Sequence, residues 1–153
     1  MKEQLLNAWR TNNKHNLLLI ENISDTGFNA SMSKRGGRTV GQQLVHMHNV
    51  RLTWLEQCAK DLLAGTSPLD KDEKIDGRIL SAAFKSSGQA IEKLLERGWE
   101  NEGIIKSFKG GLFAFFAYHI AHDAHHRGNI LLTLKLCGEK IPDKLKWGLW
   151  EWK

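Results

Sequence analysis

The chain has 153 residues and a formal net charge of +5, with 41% hydrophobic and 25% charged residues. This length suits one domain with one sizeable core, and the composition excludes a disordered chain. The two cysteines are too few for a disulfide framework. No uninterrupted apolar run indicates a secretory signal or a membrane span. We therefore expect a cytoplasmic protein without a membrane partner.

Apolar residues at helical spacing predict the first helix from Lys2 to about Ile20. Its apolar stripe includes Asn13 and Asn16, whereas His15 is expected to be a surface histidine. A loop rich in Gly, Ser and Asn follows.

The second helix begins with TVGQ, in which Thr39 and Gln42 form a capping-box pattern, and it is predicted to continue to about Ala64. Cys58 lies in this helix, and Cys137 lies at the end of a later apolar run. Both are expected to be buried free thiols.

The third helix carries a strong apolar stripe and is predicted to end at Gly98, and the fourth spans about Leu112 to Cys137. A tail containing Trp147, Trp150 and Trp152 follows, and we expect these rings to cover one end or opening of the fold or to form a dimer contact. The fold class is therefore predicted to be all-α, a single four-helix bundle.

Basic residues are scattered along the sequence among acidic and polar neighbours, and no recognition-helix or ribonucleoprotein motif accompanies them. We therefore expect no nucleic-acid partner. A carboxylate-bridged di-iron site needs Glu-x-x-His pairs, which the sequence lacks.

Four of the seven histidines fall in HIAHDAHHRG. At 100° per residue, His122 and His126 point in one direction, His119 lies one turn earlier on a similar face, and His125 points elsewhere. The face of His126 also carries Leu112, Phe115, Ile130 and Thr133, so the pair is expected to point inward. Two neutral imidazoles at i,i+4 can bind one divalent cation, although hydrogen-bonded or surface histidines remain an alternative.

The second helix offers a third ligand in its HMH segment, either His46 or His48. His48 groups with leucines, whereas His46 lies on a mixed face that includes Gln43. Periodicity modestly favours His46 as the third ligand and does not reject His48. A bis-histidine haem held by His46 and His122 is a further possibility.

Polar neighbours of these histidines have simpler interpretations. Asp123 and Arg127 stand at i,i+4 and are expected to form an ordinary salt bridge. Gln43, Asn49 and Tyr118 are candidates for orienting the ligands.

TVGQQLVHMHNVRLTWL in the second helix and HIAHDAHHRGNILLTLKLCG in the fourth resemble the DinB/YfiT-like family of four-helix-bundle metalloenzymes. The resemblance extends over nearly the whole chain and implies one domain over residues 1–153. It also implies metal ligands at His46, His122 and His126. Zinc and nickel both suit imidazole ligands.

Three protein ligands leave a coordination position open for water or a thiolate, and no other catalytic residue can be named. By resemblance, we expect a metal-dependent transferase that uses a low-molecular-weight thiol on a small electrophile. The alternative is a non-catalytic bundle that binds metal or a small ligand. Relatives of this type also lead us to expect a homodimer.

Overall fold

The computed structural model describes residues 1–33 and 35–152. Over these residues the chain is helical, without a β-strand, and none of the helices is long and apolar enough to cross a membrane. The α-helices are α1 (Lys2–Glu21), α2 (Val40–Cys58), α3 (Gly77–Glu100), α4 (Gly111–Leu136) and α5 (Asp143–Gly148).

Helix α2 begins at the predicted capping box, which is confirmed. The Gln42 backbone N–H donates to Thr39 Oγ1 and the Thr39 N–H donates to Gln42 Oε1, both at 3.1 Å. The predicted end at Ala64 is wrong. Ala59 leaves the helical conformation (φ −161°, ψ 68°), which ends α2 at Cys58, and a 3₁₀ turn follows over Lys60–Leu63.

The four long helices pack on one another so that α1 and α2 each contact both α3 and α4. The contact between α1 and α3 is close because Gly88 has no side chain at the crossing. There the Trp9 indole Nε1 donates to the Gly88 carbonyl at 2.8 Å. This arrangement places α2 beside α4, where the histidines of both helices can meet.

A layer of buried polar side chains divides the apolar core into two clusters. On α1, Trp9 belongs to one cluster and Leu19 to the other, and the fully buried Asn12 and Asn16 lie between them. The same order recurs on α2, where Arg51 separates residues of the two clusters, and on α4, where Asp123 does so. Burial of these groups requires that they bond to one another.

The end of the chain corrects the prediction that His15 is a surface residue. His15 is 2% exposed, because the segment after α5 packs over α1 and brings the Glu151 carbonyl to 3.1 Å from His15 Nε2. The Trp152 ring lies edge-on to the same imidazole, with centroids 5.2 Å apart.

Other expectations for the C-terminal region also need correction. Cys58 is buried as predicted, but Cys137 is exposed, since it follows the last residue of α4. Trp147 and Trp150 are 71% and 79% exposed and so do not cover the fold. The short helix α5 is instead anchored by the buried Leu145.

Candidate metal centre

Three histidines from two neighbouring helices converge at one point. His122 and His126 stand one turn apart on α4, and α2 brings His46 against them. The Nε2 atoms of His46 and His122 are 3.3 Å apart, and one ring nitrogen from each of the three histidines lies within 4.8 Å of the others.

These distances and donor atoms fit a divalent ion. Two imidazole nitrogens bound to tetrahedral zinc at about 2.0–2.1 Å are separated by about 3.3–3.4 Å. The 3.3 Å between His46 Nε2 and His122 Nε2 matches that separation. An all-imidazole donor set suits zinc and nickel better than calcium or magnesium.

The surroundings keep two of these rings in the neutral form that binds metal. Burial lowers the pKa of His46, and Arg38 and His122 lower it further. Burial, followed by the charges of His122 and His46, lowers the pKa of His126 to about 4. Neither ring therefore needs to lose a proton at neutral pH before it can coordinate an ion.

Two of the three candidate orienting groups contact the histidine cluster. The Oε1 atom of Gln43 lies 3.3 Å from His126 Nδ1, so the Nδ1–H tautomer donates to it and leaves Nε2 available as a ligand. The Tyr118 ring stacks on His122 with centroids 6.0 Å apart and an interplanar angle of 19°. Asn49 instead bonds to the backbone N–H and carbonyl of Leu69.

A buried ionic network lies beneath the cluster and corrects the predicted Asp123–Arg127 salt bridge. Asp123 Oδ2 accepts from Arg51 Nη2 at 2.8 Å and from the amides of Asn12 and Asn16 at 2.7 and 2.8 Å. Arg127 Nη1 donates to the oxygens of those same amides, at 2.9 and 2.6 Å. The i,i+4 rule describes helix surfaces, whereas Asp123 is fully buried and faces α1 and α2.

This network keeps Asp123 ionised. Burial alone raises the pKa of its carboxyl, but the Arg51 guanidinium and the hydrogen bonds to the carboxylate outweigh burial and hold the pKa well below its ordinary value. The negative charge of Asp123 therefore lies directly behind His122, which precedes it on α4.

The remaining histidines of HIAHDAHHRG stay outside the cluster. His119 is 1% exposed, and its ring lies among aromatic side chains, with centroids 4.6 Å from Phe115 and 5.2 Å from Tyr118. Neither ring nitrogen of His119 has a partner among the described residues. Burial lowers its pKa to about 3. His125 is exposed and bonds to Asn129 at 3.0 Å.

His48, the other candidate on α2, is a fully buried core residue. Its Nδ1 lies 3.1 Å from Ser87 Oγ and its Nε2 lies 2.9 Å from the Ser67 carbonyl. Because both ring nitrogens are occupied, His48 has no nitrogen free for an ion.

A cavity of about 290 Å³ opens beside the cluster. His126 and Gln43 line it from the inside, and Arg38, His125 and Asn129 are among the residues around it. A small molecule in this cavity would therefore contact His126 and a cationic side chain.

The DinB family model matches residues 1–144, a range that includes all four long helices and the three converging histidines. No curated protein and no solved structure shows a significant match to the chain. Because the family match covers nearly the whole sequence, the chain belongs to the DinB family.

Proposed function

We propose that the protein is a metal-dependent transferase on a DinB/YfiT-like four-helix bundle. His46, His122 and His126 hold zinc or nickel, and the protein transfers a low-molecular-weight thiol to a small electrophile. The observation that carries the metal proposal is the convergence of three ring nitrogens within 4.8 Å of one another, beside a cavity that one of the three residues, His126, lines. The choice of a thiol rests on the family resemblance.

A divalent ion bound by three imidazoles supplies a Lewis acid that favours the thiolate form of a thiol. The chain itself holds and orients the ligands. Gln43 fixes the tautomer of His126 through Nδ1, and the network around Asp123 provides a charge behind His122. The cavity gives access to His126, and Arg38 at its edge favours a substrate that carries negative charge.

Elemental analysis tests the metal site. We expect about one zinc or nickel ion per chain, lost in His46→Ala, His122→Ala and His126→Ala. His125→Ala is the matched control, because His125 is exposed on the same helix and outside the cluster. If the wild-type protein held no ion after reconstitution with either metal, the metal site would be contradicted. The contact between His46 and His122 would then be a hydrogen bond.

A transfer assay then tests the activity. The metal-loaded protein is assayed with bacillithiol, mycothiol and glutathione against 1-chloro-2,4-dinitrobenzene. We expect a rate above that of both the metal-free protein and His122→Ala. Equal rates in a protein that binds metal would instead support the non-catalytic binding bundle.

Three expectations from the sequence stay predictions: one domain over residues 1–153, a cytoplasmic location and a homodimer. A light-scattering mass equal to one chain would contradict the homodimer.

A further inference from the structure

A second, larger groove runs between α4 and the segment from Glu139 to Trp152, which includes α5. Its volume is about 1240 Å³, and none of the three clustered histidines lines it. The groove is therefore separate from the cavity beside His126.

The walls of the groove are mostly apolar. Exposed apolar side chains in a contiguous surface indicate a binding site, because such surface is costly in water. At Gly128, on the α4 side, no atom lies within 4 Å of the position that a Cβ would occupy, so the groove is open there. The apolar side chains that line the groove include Leu131, Leu132, Ile141, Leu149, Trp150 and Trp152.

A buried cation, Arg127, lies in this apolar surface. It is 8% exposed, and it lines the groove. Its only hydrogen bonds to the described residues are those from Nη1 to Asn12 and Asn16. Nε and Nη2 are therefore free to donate to a ligand, and the nearby carboxylate of Asp123 is bound to Arg51.

The electrostatics favour an anion over a cation. Lys135, Lys140 and Lys146 also line the groove, together with two acidic residues. Asp143 pairs with Lys146 at 3.2 Å, and Glu139 accepts hydrogen bonds from two hydroxyl groups of the loop after α1. With Arg127, the groove is lined by four cationic residues against two acidic ones, so its net charge is positive. A buried guanidinium without its own carboxylate is stabilised most by an anionic partner.

We propose that this groove binds an amphipathic carboxylate, a molecule with one anionic head and an apolar chain. Arg127 binds the anionic head of the ligand through Nε and Nη2, and the leucine and tryptophan side chains pack on the apolar chain of the ligand. The site is distinct from the proposed metal centre and does not depend on it.

Calorimetric titration with three probes of equal chain length tests the head-group preference. The probes are dodecanoate, dodecanol and dodecyltrimethylammonium, each below its micelle concentration. A charge-assisted hydrogen bond to Arg127 predicts that dodecanoate binds at least about tenfold more tightly than either of the others. Equal affinity for dodecanoate and dodecanol, or a preference for the cation, would overturn the proposal.

Substitutions at Gly128 test the location, because this position is open and the variants should fold. Gly128→Leu fills the groove and is expected to weaken dodecanoate binding about tenfold or more, whereas the matched control Gly128→Ala leaves it nearly unchanged. Arg127→Gln is expected to reduce the preference for dodecanoate over dodecanol. Unchanged binding in Gly128→Leu would place the probe elsewhere and contradict the assignment.

The metal content of Gly128→Leu should equal that of the wild type, so failure of this proposal is distinct from failure of the metal centre. A second copy of the chain is the competing occupant. A dimer that Gly128→Leu dissociates, in a protein that does not bind dodecanoate, would overturn the ligand proposal and assign the groove to self-association.

Discussion

Oδ1 of Asp123 lies 3.8 Å from Nδ1 of His122, and neither atom has a hydrogen-bond partner among the described residues, although both are buried. A small rotation of the imidazole would bring the two atoms into hydrogen-bond distance. The His122 Nδ1–H would then donate to the carboxylate, and Nε2 would be held toward His46. This is the carboxylate–histidine arrangement that commonly supports a metal ligand.

Asp123→Asn should therefore weaken metal binding. We expect a loss of affinity of about 10–100-fold, because the neutral amide is a weaker acceptor for the His122 Nδ1–H and holds the ring less firmly. Competition with a calibrated chelator measures the affinity, in protein that keeps its circular dichroism spectrum. Glu92→Gln is the control, since Glu92 pairs with Arg10 on the surface. Equal affinity in Asp123→Asn and the wild type would show that Asp123 has only a structural role.

Arg51→Met should destabilise the fold. The Arg51–Asp123 ion pair is fully buried, and removal of the cation leaves a carboxylate in the core without its charge partner. We expect a loss of about 3–5 kcal/mol in the free energy of unfolding, measured by urea denaturation. The double variant Arg51→Met/Asp123→Leu should recover part of that loss, because neither charge of the pair remains, although the buried Asn12 and Asn16 amides lose their acceptor. If the double variant were no more stable than the single one, the unpaired charge would not be the cause.

Addition of zinc or nickel should raise the melting temperature of the metal-free protein. A ligand at 100 times its dissociation constant stabilises the folded state by about 2.7 kcal/mol. For a chain of this length that corresponds to several degrees. Magnesium should have no comparable effect, because it prefers oxygen ligands. An equal rise in His126→Ala would locate the bound ion away from the cluster.

His119 should make the metal-free protein sensitive to acid. Burial lowers the pKa of His119 to about 3 from an ordinary value of 6.5, so the folded state takes up its proton later than the unfolded chain does. Between these two values the unfolded state binds more protons, and stability falls as the pH falls. The destabilisation caused by His119 is absent above pH 6.5 and complete below about pH 3.

His119→Phe should remove the dependence of the free energy of unfolding on pH that His119 causes between about pH 3 and 6.5. This dependence amounts to at most about 1.4 kcal/mol per pH unit. Urea denaturation at several pH values in the presence of a chelator gives the measurement. His125→Phe is the control on the same helix, since His125 is exposed. An unchanged slope in His119→Phe would mean that other groups cause the acid sensitivity.

Alanine at Gly88 in α3 and alanine at Gly128 in α4 should have opposite effects. A Cβ at Gly88 would lie 2.3 Å from Asn13 Nδ2, whereas a Cβ at Gly128 meets nothing within 4 Å. We expect Gly88→Ala to cost about 1–3 kcal/mol through overpacking and Gly128→Ala to gain up to about 1 kcal/mol from helix propensity. Thermal unfolding of both variants provides the comparison. A stable Gly88→Ala would show that the Asn13 side chain, or α1 itself, moves aside at little cost.

Local patterns in the sequence predicted the features that depend on neighbours along one helix. The capping box located the start of α2, and helical periodicity placed His122 and His126 on one face, where the structure brings them together. Periodicity alone did not decide between His46 and His48. Their environments differ through Ser67 and Ser87, which contact His48 from outside α2.

Contacts between distant segments were not predictable in the same way. Asp123 pairs with Arg51, 72 positions earlier, and not with Arg127 at i,i+4. His15 is buried by a residue that lies 136 positions later. One signal was present in the sequence: asparagines on the apolar stripe of α1 indicate that a polar partner from another helix meets them in the core.

The polar layer between the two apolar clusters also constrains how the helices align along their axes. Leucine and isoleucine layers tolerate displacement of one helix past another, because one apolar contact can replace another. Asn12 and Asn16 are themselves about one turn apart, so a shift of α1 along α4 by one turn, about 5.4 Å, would bring one asparagine close to the place of the other and put Ala8 or Ile20 in the remaining place. Asp123 and Arg127 would then keep only one of their two amide partners. The layer therefore defines a single axial register for α1 relative to α4.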